Sequence, residues 1–184
     1  MLLSSLSRRS APLLAQRCAP AALLRTTRLV HTEKRLAELG IELPAMTVPL
    51  ANYTSCVQTG NLVYLSGHIP FKDLETMSLH VGKVGKDYTT EEGQAFARLI
   101  GLELVGTLKA FLGDLDRVTR IVKVVGFVNC PDDYLEQPEV LNGCSNVLGE
   151  IFQERGVHAR SAVGTSILPR NVPVEIELIA EIKD

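Results

Sequence analysis

His158-Ala159-Arg160-Ser161-Ala162-Val163-Gly164, then Leu168-Pro169-Arg170-Asn171, then Val174-Glu175-Ile176-Glu177-Leu178-Ile179-Ala180, form the closing stretch on which the reading of the fold turns. It reads as two strands joined by a turn, with Pro169-Arg170-Asn171 as the break. A period of two puts Val174, Ile176 and Leu178 on one face of the second strand and Glu175 and Glu177 on the other. One face then meets a core. The other carries spaced carboxylates, with a lone guanidinium, Arg160, at the mouth of the first strand. That combination suggests a small anionic ligand held at a rim.

Upstream, Arg117 to Val128 is a near-continuous β-branched run, the mark of a strand covered on both sides. It lies between two helical patterns. Thr89-Thr90-Glu91-Glu92 is a capping box that opens a helix through about Leu112, with Ala95, Leu99, Leu102, Val105, Leu108 and Leu112 as its inward face. The second helix spans about Pro138 to Glu154, with Leu141, Cys144, Val147, Leu148 and Ile151 inward. Asp132, Asp133, Glu136 and Glu139 complement its N-terminal dipole. Earlier still, Tyr53–Gln58 and Leu62–Gly67 flank Thr59-Gly60-Asn61 as a hairpin. An irregular segment follows, with a short strand near His80–Val84. Lys34 to Leu43 is a short amphipathic helix or turn, closed by Pro44. The order ββ(β)αβαββ predicts a two-layer α+β domain with a mixed sheet and two helices on one face. The bare sheet face predicts burial in a symmetric oligomer.

The bulk composition bounds the function. The chain has 184 residues, 46% of them hydrophobic, with no Trp, so its core is aliphatic. Residues 1–32 hold five arginines and no acid, which is the composition of a mitochondrial-type transit peptide. Cleavage is expected within Arg28–Arg35. The apolar runs Ala11–Leu14 and Ala19–Leu24 are short and broken for a secretory signal. Residues 33–49 read as a short helix and linker, and 50–184 as the main domain. Beyond residue 32, 14 Lys/Arg face 21 Asp/Glu, a balance of about −7 that disfavours nucleic acid as the main partner. No apolar run reaches the length of a membrane span. Cys18, Cys56, Cys130 and Cys144 show no metal-ligand spacing and read as free thiols, Cys130 and Cys144 as core fillers, so no metal is expected.

At three places the chain resembles the Rid proteins, the YjgF-type reactive intermediate deaminases also described as L-PSP endoribonucleases. The first is Gly60-Asn61-Leu62-Val63-Tyr64-Leu65-Ser66-Gly67-His68-Ile69-Pro70. The second is Leu141-Asn142, and the third is the closing stretch from Ala159 to Ala180. The resemblance covers about residues 50–182. It implies a chorismate-mutase-like homotrimer with clefts between subunits. It also implies hydrolysis of enamine or imine intermediates such as 2-aminoacrylate to a 2-keto acid and ammonia, without cofactor. On these positions Arg160 would grip the substrate carboxylate, and Glu175 would position water or orient the arginine. Tyr53, Ser66, the Gly67 backbone, Asn142 and Ala162 would line the cleft. Capture of a 2-keto acid without turnover, as a binding or regulatory protein, is the alternative reading, and endoribonuclease activity a less favoured third.

The chain departs from the family pattern in several positions. Ala51-Asn52-Tyr53-Thr54 stands where members carry Gly-Pro-Tyr-Ser. His68 replaces Gln, Ala162 replaces a frequent Cys, and Gly164 replaces Glu. Phe71–Tyr88 is longer than in compact members. From the residues alone, Arg160 also reads as a solvated rim arginine, Tyr53 as a half-buried strand aromatic, Asn142 as a solvent-facing helix residue and His68 as structural. The choice of Glu175 over Glu177 rests on the resemblance.

Overall fold

A computed structural model describes residues 31–45 and 52–183. The transit peptide expected over residues 1–32 lies outside the described residues, apart from its last two, and part of the expected linker does also. Helix α1 (Thr32–Leu39) starts two residues before the expected Lys34. Thr32 is buried: its N–H donates to Asp116 Oδ1 (2.6 Å), and Arg155 Nη2 donates to its hydroxyl (2.8 Å). Gly40 ends α1 in the left-handed conformation (φ 64°) that glycine adopts without strain.

The hairpin forms as β1 (Cys56–Thr59) and β2 (Leu62–His68), turning at Gly60 and Asn61. The segment expected to be irregular holds a second small hairpin, β3 (Phe71–Asp73) with β4 (Ser78–Leu79). The strand therefore ends before the predicted His80–Val84. Asp73 Oδ1 accepts the N–H groups of Glu75 and Thr76, and this turn contains no glycine to announce it.

Helix α2 (Thr90–Leu112) starts at the expected capping box. Glu92 N donates to Thr89 Oγ1 (3.2 Å), and Thr89 N donates to Glu92 Oε2 (2.7 Å). Thr89→Ala is expected to cost about 1 kcal/mol, read as a lower urea midpoint at unchanged m-value. The inward face differs from the one expected. Ala97, Ile100, Leu104, Val105, Leu108 and Leu112 are buried, whereas Ala95 is exposed and Leu99 and Leu102 only partly covered. The reason is that α2 packs against the sheet on one side and against α3 (Gln137–Phe152) on another. Its buried arc follows both neighbours, not one stripe. All five residues expected to face inward on α3 are buried.

The long strand is β5 (Val118–Asn129), and the closing strands are β6 (Ala159–Thr165) and β7 (Val174–Ile182). The sheet order is β1-β2-β7-β5-β6. The closing strands are therefore not a hairpin: β5 lies between them, parallel to β6 and antiparallel to β7. Helix α3 makes the crossover that a parallel β5–β6 pair requires.

Alternation along β7 is as expected, with Val174, Ile176 and Leu178 in the core. The β5 strand is not covered on both sides within the chain. Its Val118, Ile121, Val124 and Val128 are buried under the helices, while Val125 and Phe127 are only half covered. The registered row Val57–Tyr64–Ile179 and the row Val163–Phe127 put further apolar side chains on this open face. Three of them, Val57, Tyr64 and Val163, are among the exposed large hydrophobics. Cys56, Cys130 and Cys144 are buried free thiols of the core. No described helix is long and apolar enough to cross a membrane.

Candidate functional site

Arg160 stands near the start of the edge strand β6, in register with Val124 and, through it, Leu178. That row faces the helices, so the side chain turns under the sheet edge toward α3 and not into solvent. Its Nη1 donates to Asn142 Oδ1 (3.0 Å) and Ser145 Oγ (3.0 Å), and its Nη2 donates to the Pro138 carbonyl (3.2 Å). Asn142 and Ser145, three apart on α3, share one face of the helix.

An arginine has five N–H donors. Three are taken here by neutral acceptors, so Nε–H and one Nη2–H remain without a partner among the described residues. No described carboxylate lies within ion-pair distance of the guanidinium. The arrangement is a fixed, half-buried cation with two donors unused, which is what a bidentate carboxylate takes up. Ala162 lies two residues on, on the same side of β6, packed against the core.

Glu175, Ser66 and Gly67 form a second group elsewhere on the sheet. The β2–β7 register shifts between Leu65 and His68, so two residues of β2, Ser66 and Gly67, oppose one of β7, Glu177. This bulge lets Leu65 and His68, three apart, both point into the core. Gly67 at the bulge lies directly under Glu175: a Cβ there would overlap Glu175 Oε1 and sit 2.9 Å from its Cδ. Ser66 Oγ donates to the Thr54 carbonyl (2.7 Å), which ties the bulge to the segment after the exposed Tyr53. Burial, and then the neighbouring Glu177, raise the Glu175 carboxyl above its ordinary pKa.

His68 itself is structural. Its Nδ1 donates to the Ser66 carbonyl (2.8 Å), and its Nε2 accepts from Thr107 Oγ1 (2.8 Å), joining β2 to α2. Burial lowers its pKa, so the ring is neutral.

Within one chain, Arg160 and Glu175 do not meet. Glu175 is in register with Phe127 on the open face, whereas Arg160 belongs to a row on the helix face. They stand two strands and three residues apart, roughly 14 Å in the plane of the sheet. The structure therefore splits the expected residues into two half-sites. Arg160, Asn142 and Ala162 make one, and Ser66, Gly67 and Glu175, with Tyr53 at the same end, make the other. Sequence reasoning missed Ser145 and His158 around the arginine. The i,i+3 spacing from Asn142 and the position two before Arg160 were the available signals.

Comparison with known proteins supports the same reading of the architecture. A family model described as "YjgF/chorismate mutase-like, putative endoribonuclease" matches residues 33–182. Protein TCP17 of Trypanosoma cruzi is 41% identical over 150 residues, which cover 81% of this chain and 92% of that protein. A 2-iminobutanoate/2-iminopropanoate deaminase of Dermatophagoides farinae is 32% identical over 143 residues, covering 78% and 95%. The crystal structure of Atu1372 from Agrobacterium tumefaciens, a protein of unknown function, superposes with a TM-score of 0.74 at 38% identity. That alignment covers 84% of this chain and 94% of Atu1372.

Proposed function

Because the chain belongs to the YjgF/chorismate mutase-like family, we propose that it hydrolyses carboxylate-bearing enamines or imines of the 2-aminoacrylate type to a 2-keto acid and ammonia. The observation that carries this is the Arg160 guanidinium, fixed by three neutral acceptors and left, among the described residues, with two free donors and no carboxylate partner. The deaminase relative at 32% identity supports the reaction class.

The two half-sites lie on opposite faces of the sheet, so a complete cleft takes the arginine from one copy and the Glu175 group from another. The uncovered apolar row on the open face supports the same assembly, which we take to be a homotrimer. In that cleft Arg160 binds and orients the substrate carboxylate. Glu175, whose carboxyl is raised toward the protonated form, positions water and exchanges a proton with the reacting nitrogen. Orientation plus one acid/base group suffices, because such imines already hydrolyse in water. The acid-free, arginine-rich segment before Thr32 supports a mitochondrial location.

Arg160→Ala tests this reading. It is expected to lower the acceleration of 2-iminobutanoate hydrolysis about 100-fold or more, as expected for losing paired charge-assisted bonds, with thermal midpoint and oligomeric state retained. Equal rates for variant and wild type would reject it. Saturable binding of 2-ketobutyrate by calorimetry, with no turnover on any imino acid, would instead assign the same cleft to carboxylate capture.

A further inference from the structure

Ser145 and His158 complete the setting of Arg160, and their hydrogen bonds have a defined direction. The Gly156 carbonyl can only accept, and it lies 2.6 Å from His158 Nδ1, so Nδ1 carries the proton. In the neutral ring Nε2 is then bare. The Ser145 hydroxyl, 3.1 Å away, donates to it. That leaves the Ser145 lone pairs for Arg160 Nη1. The chain of donors runs from Arg160 to Ser145 to His158. The charge that faces the imidazole is that of Arg160 itself; burial, and to a smaller extent this charge, favour the neutral ring against the opposing pull of the Gly156 hydrogen bond. Were His158 protonated, Nε2–H would point at Ser145 and a second cation would stand beside the guanidinium.

Resting on the proposed carboxylate-binding role of Arg160, we propose that Ser145 and His158 are positioning residues, a relay that holds the Arg160 guanidinium in its carboxylate-receiving orientation. His158 acts through Ser145 and touches no substrate. The consequence is a defined pattern of effects. Ser145→Ala removes one charge-assisted bond and should raise the Kd for 2-ketobutyrate, and the KM for 2-iminobutanoate, about tenfold. The kcat should stay within about threefold, because uniform binding is what is lost. His158→Leu should raise Kd similarly. The Ser145→Ala/His158→Leu double variant should be no weaker than Ser145→Ala alone. Ser145→Thr, which keeps the hydroxyl, and His158→Gln, which keeps an acceptor for it, should restore affinity to within about threefold of wild type.

Calorimetric titration of the full chain and its variants with 2-ketobutyrate, beside turnover on 2-iminobutanoate, decides the matter. Additive losses in the double variant, or wild-type affinity in Ser145→Ala, would overturn the relay. A wild-type protein that binds no 2-ketobutyrate and turns over no imino acid would overturn the proposed function itself. Should Ser145→Ala or His158→Leu fail to fold, failure of both Thr and Gln variants to bind near wild-type affinity would also overturn the relay.

Discussion

Gly143→Ala should destabilise the protein by about 2–3 kcal/mol, lowering its thermal midpoint by roughly 10 °C for a domain of this size. Gly143 sits where α3 crosses α2 most closely. A Cβ there would overlap the Gln94 carbonyl oxygen and stand 2.9 Å from Arg98 N, both backbone atoms. The helices must separate to admit it. Gly101, facing Cys144 Cα and the Val147 side chain from the other helix, shows the same close approach.

The helix-propensity gain from Gly to Ala, about 1 kcal/mol, acts in the opposite direction and is too small to win. Gly149→Ala separates the two effects on one helix. Nothing lies within 4 Å of a Cβ at that position, so the substitution should be neutral or stabilising by up to about 1 kcal/mol. If Gly143→Ala stabilised as Gly149→Ala does, the close approach would be refuted. Because Gly143 lies between Asn142 and Ser145, the first substitution should also weaken carboxylate binding, by moving two acceptors of Arg160.

The second large effect concerns Glu103, a carboxyl buried on α2. Phe71 N donates to its Oε1 at 3.5 Å, and Oε2 is buried without a hydrogen-bond partner among the described residues. Desolvation pushes its pKa up from 4.5 to about 8. Folding therefore keeps a proton on this group that the unfolded chain releases above about pH 4.5. Between those two values the folded state binds more protons than the unfolded one, so stability falls as pH rises, and levels off above about pH 8. The accumulated loss is at most about 5 kcal/mol by the conversion of 1.36 kcal/mol per pH unit. Glu103→Gln cannot ionise and should remove this slope. Its urea midpoint, measured from pH 5 to 9, should overtake that of wild type as pH rises. Parallel curves for the two proteins would show that Glu103 ionises in the folded state at an ordinary pKa.

Local signals carried much of the fold. The capping box at Thr89, the Gly60-Asn61 hairpin, the inward face of α3 and the alternation of Val174, Ile176 and Leu178 all appear where residue chemistry puts them. Each depends on a neighbour a few residues away. The misread features depend on distant ones. Periodicity tells which face of β7 is buried, but not that β5 comes between it and β6. The inward arc of α2 departs from its apolar stripe because contact with both the sheet and α3 widens it past any single stripe.

The site divides in the same way. As candidates, Arg160, Asn142 and Glu175 come from a resemblance in sequence. That Arg160 and Glu175 face opposite sides of the sheet is a matter of register, invisible to spacing along the chain. His158 and Ser145 meet because the α3 crossover lays the middle of the helix beside the start of β6.

The central place of β7 has a consequence for how the molecule comes into being. It follows the other four described strands of its sheet in the chain, yet it supplies hydrogen-bond partners to both β2 and β5. Until Val174–Ile182 leaves the ribosome, the β1–β2 hairpin and the β5–β6 pair share no neighbour, and each exposes a bare strand edge. The sheet can therefore close only once β7 has been made, through contacts more than a hundred residues apart between β2 and β7, which slows folding. In the interval both edges are open to pairing with other chains. Removing the last nine strand residues would thus split the sheet in two, where loss of an edge strand would only shorten it.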